Sequence, residues 1–202
     1  MSEALETVIS GGADYWLKRR GIDREFIQRS PILGFMRQAR FSQWRHTVEN
    51  CWAILVQDPD EAPRGVKLHL ENPPPGSSKS LWAPFGTQPT EKPRHMYATL
   101  WPCPEWLPPD EWLILCPGEL KAAAFRTAGI AATSITAGES HKWTPGQVAR
   151  FRGRKVMVIF DDDPAGHKFR DNTLEALSGL ALELKSDTFG RKTIGADMEI
   201  AA

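Results

Sequence analysis

Three short, continuously apolar runs, each followed by a turn and then by a segment with helical spacing, restrict what the second half of this chain can fold into. WLILC (residues 112–116) leads into Pro117 and Gly118, then LKAAAFRTA, with Gly129 placed as a C-cap. IAATSI (130–135) ends in TAGES, and Thr144-Pro145 then opens a helix reaching Phe151. VMVIF (156–160) ends in Asp161, Asp162 and Asp163, and a helix is expected from Pro164 to about Leu184. Strands that are apolar throughout and alternate with helices predict an α/β fold whose parallel sheet is flanked by helices on both faces. Right-handed crossovers bring the C-terminal ends of such strands to one edge. Pro117-Gly118, residues 136–140 and the three aspartates should therefore lie close together, and that edge is where chemistry is to be sought.

The first half reads differently. CWAILVQ, the turn DPDEAPRG and VKLHLEN predict a β-hairpin between residues 51 and 70. Residues 73–78 and the four prolines of WPCPEWLPPDEW have loop composition, which places a boundary near Pro109. The expectation is thus a smaller α+β unit, basic and helical with a hairpin, over 1–109, and the α/β domain over 110–202. Within residues 15–45, eight basic residues (Lys18, Arg19, Arg20, Arg24, Arg29, Arg37, Arg40, Arg45) face two acids, Asp23 and Glu25. Tyr15, Trp16, Phe26, Phe35, Phe41 and Trp44 are interleaved with them, a mixture suited to phosphate contacts and base stacking, or equally to an amphipathic helix pair with a solvated basic face. Gly21 ends the first of those helices and Asp23 caps the second.

Composition serves mainly to exclude. Lys and Arg total 25, as do Asp and Glu, and 41% of residues are hydrophobic, so the chain is neither a basic tail nor an acidic disordered segment. Cys51, Cys103 and Cys116 share no CxxC spacing, which argues against a zinc ribbon or a disulfide framework and fits a reducing cytoplasm. The opening MSEALETVIS has no apolar core of an export signal, and no apolar run approaches membrane-spanning length, so a cytoplasmic protein without an anchor is expected.

Three adjacent aspartates at a buried strand end repel one another unless a cation neutralises them. Asp161 and Asp163 can both present oxygens to Mg²⁺ (or Mn²⁺), which keeps several waters and needs only one or two protein carboxylates. The alternative is structural: Asp163 before Pro164 makes a good helix N-cap, with Asp161 a solvated strand end. His167, Lys168 and Arg170 put positive charge near a helix start, where it is disfavoured unless a phosphate is bound nearby. Lys142, beside His141, and the basic edge Arg150, Arg152, Arg154 and Lys155 could likewise meet phosphate or simply be solvated. His46, His69 and His95 have no ligand spacing; Trp52 and Trp112 read as core, and Trp82, Trp101 and Trp106 as packed against proline.

FDDDPAGHK resembles the D-x-D motif of the Toprim fold, found in bacterial and phage primases, topoisomerases, recombination mediators and some nucleases. PGELKAAAFRTAGIAATSITAGES is similar to the Toprim glutamate motif, E-G-x-x-D/K-A, with its helix, second strand and small-residue turn. The likeness covers roughly residues 111–200; GADMEIAA resembles the closing segment of primase Toprim domains, and YWLKRRGIDREFIQRSPILGF with the hairpin resembles the segment preceding them in phage and plasmid primases.

The resemblance implies that Asp161 and Asp163 bind Mg²⁺ while a glutamate acts as general acid/base or further metal ligand. Proline stands where that glutamate belongs, at Pro117. Glu119, two positions on, and Glu139, after the second strand, are the candidate substitutes.

A primase-like protein follows as the expectation: Mg²⁺-dependent nucleotidyl transfer in DNA replication, acting on nucleotides and single-stranded DNA or RNA, with Asp161, Asp163 and Glu119 catalytic and Lys168, Arg170, Lys142, Arg19 and Arg20 holding phosphate. The rivals are a catalytically impaired module that binds single-stranded nucleic acid or a replication partner, and a Toprim nuclease. Topoisomerase is disfavoured because Tyr15 and Tyr97 are the only tyrosines, and a recombination mediator because the four-cysteine zinc motif is missing. No helicase motor or zinc template reader is recognisable, so a primase role would call on a helicase or other replication partner.

Overall fold

The computed structural model describes residues 13–39, 48–60, 62–73, 75–76, 78–83 and 99–189. Arg40, Phe41, Trp44, Arg45, His46, His95, Tyr97 and the closing segment 195–202 lie outside the described residues. The chain divides into two compact units, residues 1–97 and 98–202.

In the first unit, helix α1 (Ala13–Arg20) ends at Gly21, whose φ of 63° suits glycine, and α2 (Arg24–Arg29) is capped by Asp23, whose carboxylate accepts from the Phe26 amide at 2.5 Å. Both features follow the expectation. The hairpin is there as well, in β2 (Val48–Gln57) and β3 (Pro63–Leu70), but β1 (Leu33–Ala39) and β4 (Ser80–Ala83) extend it to a four-stranded antiparallel sheet in the order β1-β2-β3-β4. Strand β2 buries consecutive residues from Cys51 to Ile54, so both faces of the sheet are covered at its centre. Trp52 packs edge-on against Phe35 with ring centroids 5.1 Å apart.

The second unit holds a five-stranded sheet in the order β5-β7-β6-β8-β9. Strands β6 (Trp112–Pro117), β7 (Ala132–Ile135), β8 (Lys155–Asp161) and β9 (Glu183–Phe189) pair in parallel, and the short β5 (Leu100–Trp101) runs antiparallel to β7. The connecting helices are α3 (Glu119–Thr127), α4 (Pro145–Ala149) and α5 (Pro164–Leu177). Its core gathers Leu113, Leu115, Ile135, Phe151, Val158 and Phe169. The predicted α/β sheet flanked by helices is thus the observed one.

Three expectations are corrected. The boundary near Pro109 falls inside the second unit, because β5 joins the sheet there and Arg154 pins the proline-rich stretch. Its guanidinium donates to the carbonyls of Pro104 at 2.6 Å, Leu107 at 3.2 Å and Pro108 at 2.5 Å. The last helix stops at Leu177 instead of about Leu184: Gly179, at φ 75°, turns the chain and residues 183–189 enter the sheet as β9. The expected basic edge is in part internal: Arg154 is spent on carbonyls, and Arg150 grips Glu105 through both guanidinium arms at 2.7 and 2.5 Å.

Candidate metal and nucleotide site

The C-terminal edge of the parallel sheet is built by tight turns after β6 and β8 and a longer loop after β7. After β6, Gly118 takes φ 94°, a value that side-chain-bearing residues avoid, and starts α3 immediately behind the strand. After β8, the Asp163 carboxylate accepts from the Gly166 amide at 2.8 Å and so caps α5. Gly166 is fixed by space. A Cβ there would lie 2.0 Å from the Asp161 carbonyl oxygen, so only glycine lets the first turn of α5 press against the end of β8. This is the physical content of the D-x-D-x-A-G pattern: the glycine sets the helix against the strand, and the second aspartate closes the turn.

The N-cap reading of Asp163 is therefore observed, and it leaves the carboxylate at the sheet edge beside Asp161. Lys121, from the first turn of α3, reaches Asp161 with its ammonium 2.6 Å from one carboxylate oxygen and 2.5 Å from the other. On its other side the same ammonium lies 5.8 Å from the centre of the Phe189 ring. Glu139 comes to the same place from the loop after β7. Burial raises its carboxyl above the ordinary glutamate value, and the charges of Asp161 and Asp163 raise it further, with Lys121 opposing them. The three strand-end loops thus converge as the topology requires.

Glu119 fares differently from Glu139. It stands in the first turn of α3 at 4% exposure, which offers little surface to a hydrated ion or an incoming substrate. Lys142 and Lys168 are exposed. Arg170 is shared among neighbours: it donates to Asp171 at 2.7 Å and its guanidinium stacks over Phe160 at 5.0 Å, while His167 meets Asp162 at 3.0 Å. The acids around this helix start thus offset part of the positive charge that suggested a phosphate.

In the first unit Arg19 is exposed and lies over the Trp16 ring at 5.3 Å, and Tyr15 is 63% exposed. Arg20 is corrected as a phosphate ligand, because both its arms hold Glu71 at 2.7 Å. The Trp52 indole N–H adds a third bond to that carboxylate at 2.5 Å. Burial disfavours the Glu71 charge, but the bonds from Arg20 and Trp52 outweigh it and hold the carboxyl below its ordinary value. Trp16 and Phe35 are core residues, so among the described residues the aromatics of the basic stretch left to face solvent are Tyr15 and the half-buried Phe26.

Among the described residues no three His, Cys, Asp or Glu side chains form a ready metal cage. The donors at Asp161 nonetheless fit a hard divalent ion that needs one or two protein carboxylates: Asp161 and Asp163 stand together at the edge, and Glu139 lies close enough to feel both charges. Lys121 and Phe189 were not singled out from the sequence. The lysine three residues after the motif glycine was a usable signal, since it stands at the D/K position of the glutamate motif.

No protein-family model matches the sequence, and no curated protein matches it. Solved structures do. The zinc-binding and RNA polymerase domains of the Aquifex aeolicus primase superpose with a TM-score of 0.63 at 15% identity, over 90% of this chain and 50% of that one. A DnaG catalytic core gives 0.62 at 18% identity, over 93% and 68%, and a DnaG primase catalytic domain bound to single-stranded DNA gives 0.62 at 15%, over 92% and 69%. The present chain spans half the length of the first and about two thirds of the other two. Its mixed α/β architecture, an antiparallel sheet followed by a helix-flanked parallel one, is the fold of the primase catalytic core.

Proposed function

We propose that the chain is a primase-like Toprim protein that joins nucleotides on a single-stranded nucleic-acid template with Mg²⁺ or Mn²⁺. The observation that carries this reading is the convergence of Asp161, Asp163 and Glu139 at the strand-end edge of a sheet within a primase-core fold. Asp161 and Asp163 would hold the metal, which supplies charge neutralisation at the triphosphate and lowers the barrier to attack by a 3′ hydroxyl. Glu139 takes the place of the glutamate lost at Pro117. It reaches Asp161 from the loop after β7 and would there accept the 3′-hydroxyl proton. Lys142 and Lys168 face solvent and are free to meet phosphate, as are Arg19 and Tyr15 to meet the template.

A second reading is favoured by one observation, the Lys121 ammonium on Asp161. A side-chain cation at that place neutralises the acid without a metal, as expected of a module that keeps the fold and binds single strands without chemistry.

The test is primer synthesis from labelled nucleotides on single-stranded DNA with Mg²⁺ or Mn²⁺, comparing wild type with Asp161→Asn, Asp163→Asn, Glu139→Gln and Glu119→Gln. Asparagine preserves the N-cap of α5, so loss of product reports chemistry rather than unfolding. Products that vanish with Asp161→Asn and fall by about 10²-fold or more with Glu139→Gln, but not with Glu119→Gln, support the first reading. Equal DNA binding by all variants with no product from any of them supports the second. A shortened template would point to a nuclease.

A further inference from the structure

Resting on that reading of the site, we propose that Lys121 is the resident counter-ion of Asp161 and passes to the phosphates of an arriving nucleotide, so that metal and nucleotide bind together rather than in succession. The ammonium sits between both oxygens of the Asp161 carboxylate, at 2.6 and 2.5 Å, the place a chelated cation would take. Both partners are partly withdrawn from water, with side-chain exposures of 22% and 33%, so the pair is less screened than a surface salt bridge.

The lysine is also held in position. The Phe189 ring lies 5.8 Å from its nitrogen, and Phe189 is itself backed by Phe125 at 5.4 Å between centroids. Phe189 stands opposite Asp161 in the β8–β9 register, so the ring and the carboxylate are presented by paired residues of neighbouring strands.

Two consequences follow from charge. A divalent ion arriving alone must evict the ammonium from Asp161, or sit beside it at the cost of repulsion between like charges. A metal–triphosphate complex brings its own acceptors: an ammonium has three donors on a flexible stem and can exchange carboxylate oxygens for phosphate oxygens without leaving the site. Lys121 therefore opposes free metal and favours metal–nucleotide, and each ligand strengthens binding of the other.

The test is Mn²⁺ binding, followed by the electron paramagnetic resonance signal of free Mn²⁺, with and without a non-hydrolysable nucleoside triphosphate, on the whole chain. Wild type is expected to bind Mn²⁺ weakly alone and at least about tenfold more tightly with the analogue, after correction for Mn²⁺ held by the analogue itself. Lys121→Met is expected to bind Mn²⁺ alone about tenfold more tightly than wild type and to lose most of that coupling. Lys121→Arg keeps the charge and should stay weak; it also controls for a folding defect, which circular dichroism checks in both variants. Mn²⁺ binding by Lys121→Met that is no tighter than wild type overturns the proposal, as does wild-type affinity indifferent to the analogue. Coupling without primer synthesis would remove only the polymerase reading; primer synthesis with unaltered Mn²⁺ binding by Lys121→Met would remove only this one.

Discussion

Gly166 is the residue on which the site depends most narrowly. Any side chain there meets the Asp161 carbonyl at 2.0 Å, and because that atom is backbone at the end of a central strand, the helix must move instead. Gly166→Ala is therefore expected to cost about 2–4 kcal/mol, lowering the thermal unfolding midpoint by several degrees, and to weaken Mn²⁺ binding by displacing Asp163. A midpoint within a degree of wild type would show that the contact yields. The aspartates and this glycine were legible in the sequence, since strand end, D-x-D and a glycine in the first helical turn form one local pattern. Lys121 was marked only by its place in the glutamate motif and Phe189 not at all, because the contact of Lys121 with Asp161 and Phe189 joins α3 to β8 and β9, 40 residues or more further along the chain.

At the scale of elements, α1 is fastened within the first unit by a charged pair instead of an apolar stripe alone. The Glu71 side chain is 1% exposed, so Arg20→Ala leaves a buried carboxylate with Trp52 as its remaining hydrogen-bond donor among the described residues and is expected to cost about 3 kcal/mol in urea unfolding. His69 lies beside the pair, 3.3 Å from Arg20, and burial followed by the Arg20 charge lowers its pKa to about 4. A depressed folded value means that the native state resists protonation. The contribution is intact above about pH 6.5, the unfolded value, and is lost as pH falls toward 4, amounting to at most about 3 kcal/mol. Glu71, also depressed, begins to add its loss as pH falls below about 4.5, its ordinary value. Stability measured from pH 7.5 to 4 should fall accordingly, and His69→Gln should flatten the slope between pH 6.5 and 4. The helices and hairpin of this unit could be read from caps and alternation, but β1 could not: LGFMRQA mixes small, apolar and charged residues, and its pairing with β2 decides its state.

For the whole molecule, the clearest expectation concerns its three thiols. Cys51, Cys103 and Cys116 are all buried thiols outside any disulfide, and burial pushes Cys51 and Cys116 up to about 12. A thiol reagent should label the native protein negligibly at pH 8 and all three positions after unfolding; rapid labelling of the native form would contradict the packing. The α/β order was legible because its central strands are apolar without interruption, whereas β9 was hidden, since ELKSDTF carries none of that signal and the preceding LSGLALEL suits a helix as well as a turn into a strand.

Strand β9 closes one end of the five-stranded sheet, and its composition governs how separate molecules meet one another. An edge strand presents unpaired amides and carbonyls, a template on which another chain could add by backbone hydrogen bonding. Here Glu183, Lys185 and Asp187 alternate along that strand and all are exposed, so a second molecule docking edge to edge would have to strip water from three charges; Lys185 also lies over the Trp112 ring at 4.6 Å. Replacing the three by valine should leave the monomer folded by circular dichroism while light scattering rises on warming. Charge that looks idle along the side of the sheet thus acts as protection against aggregation.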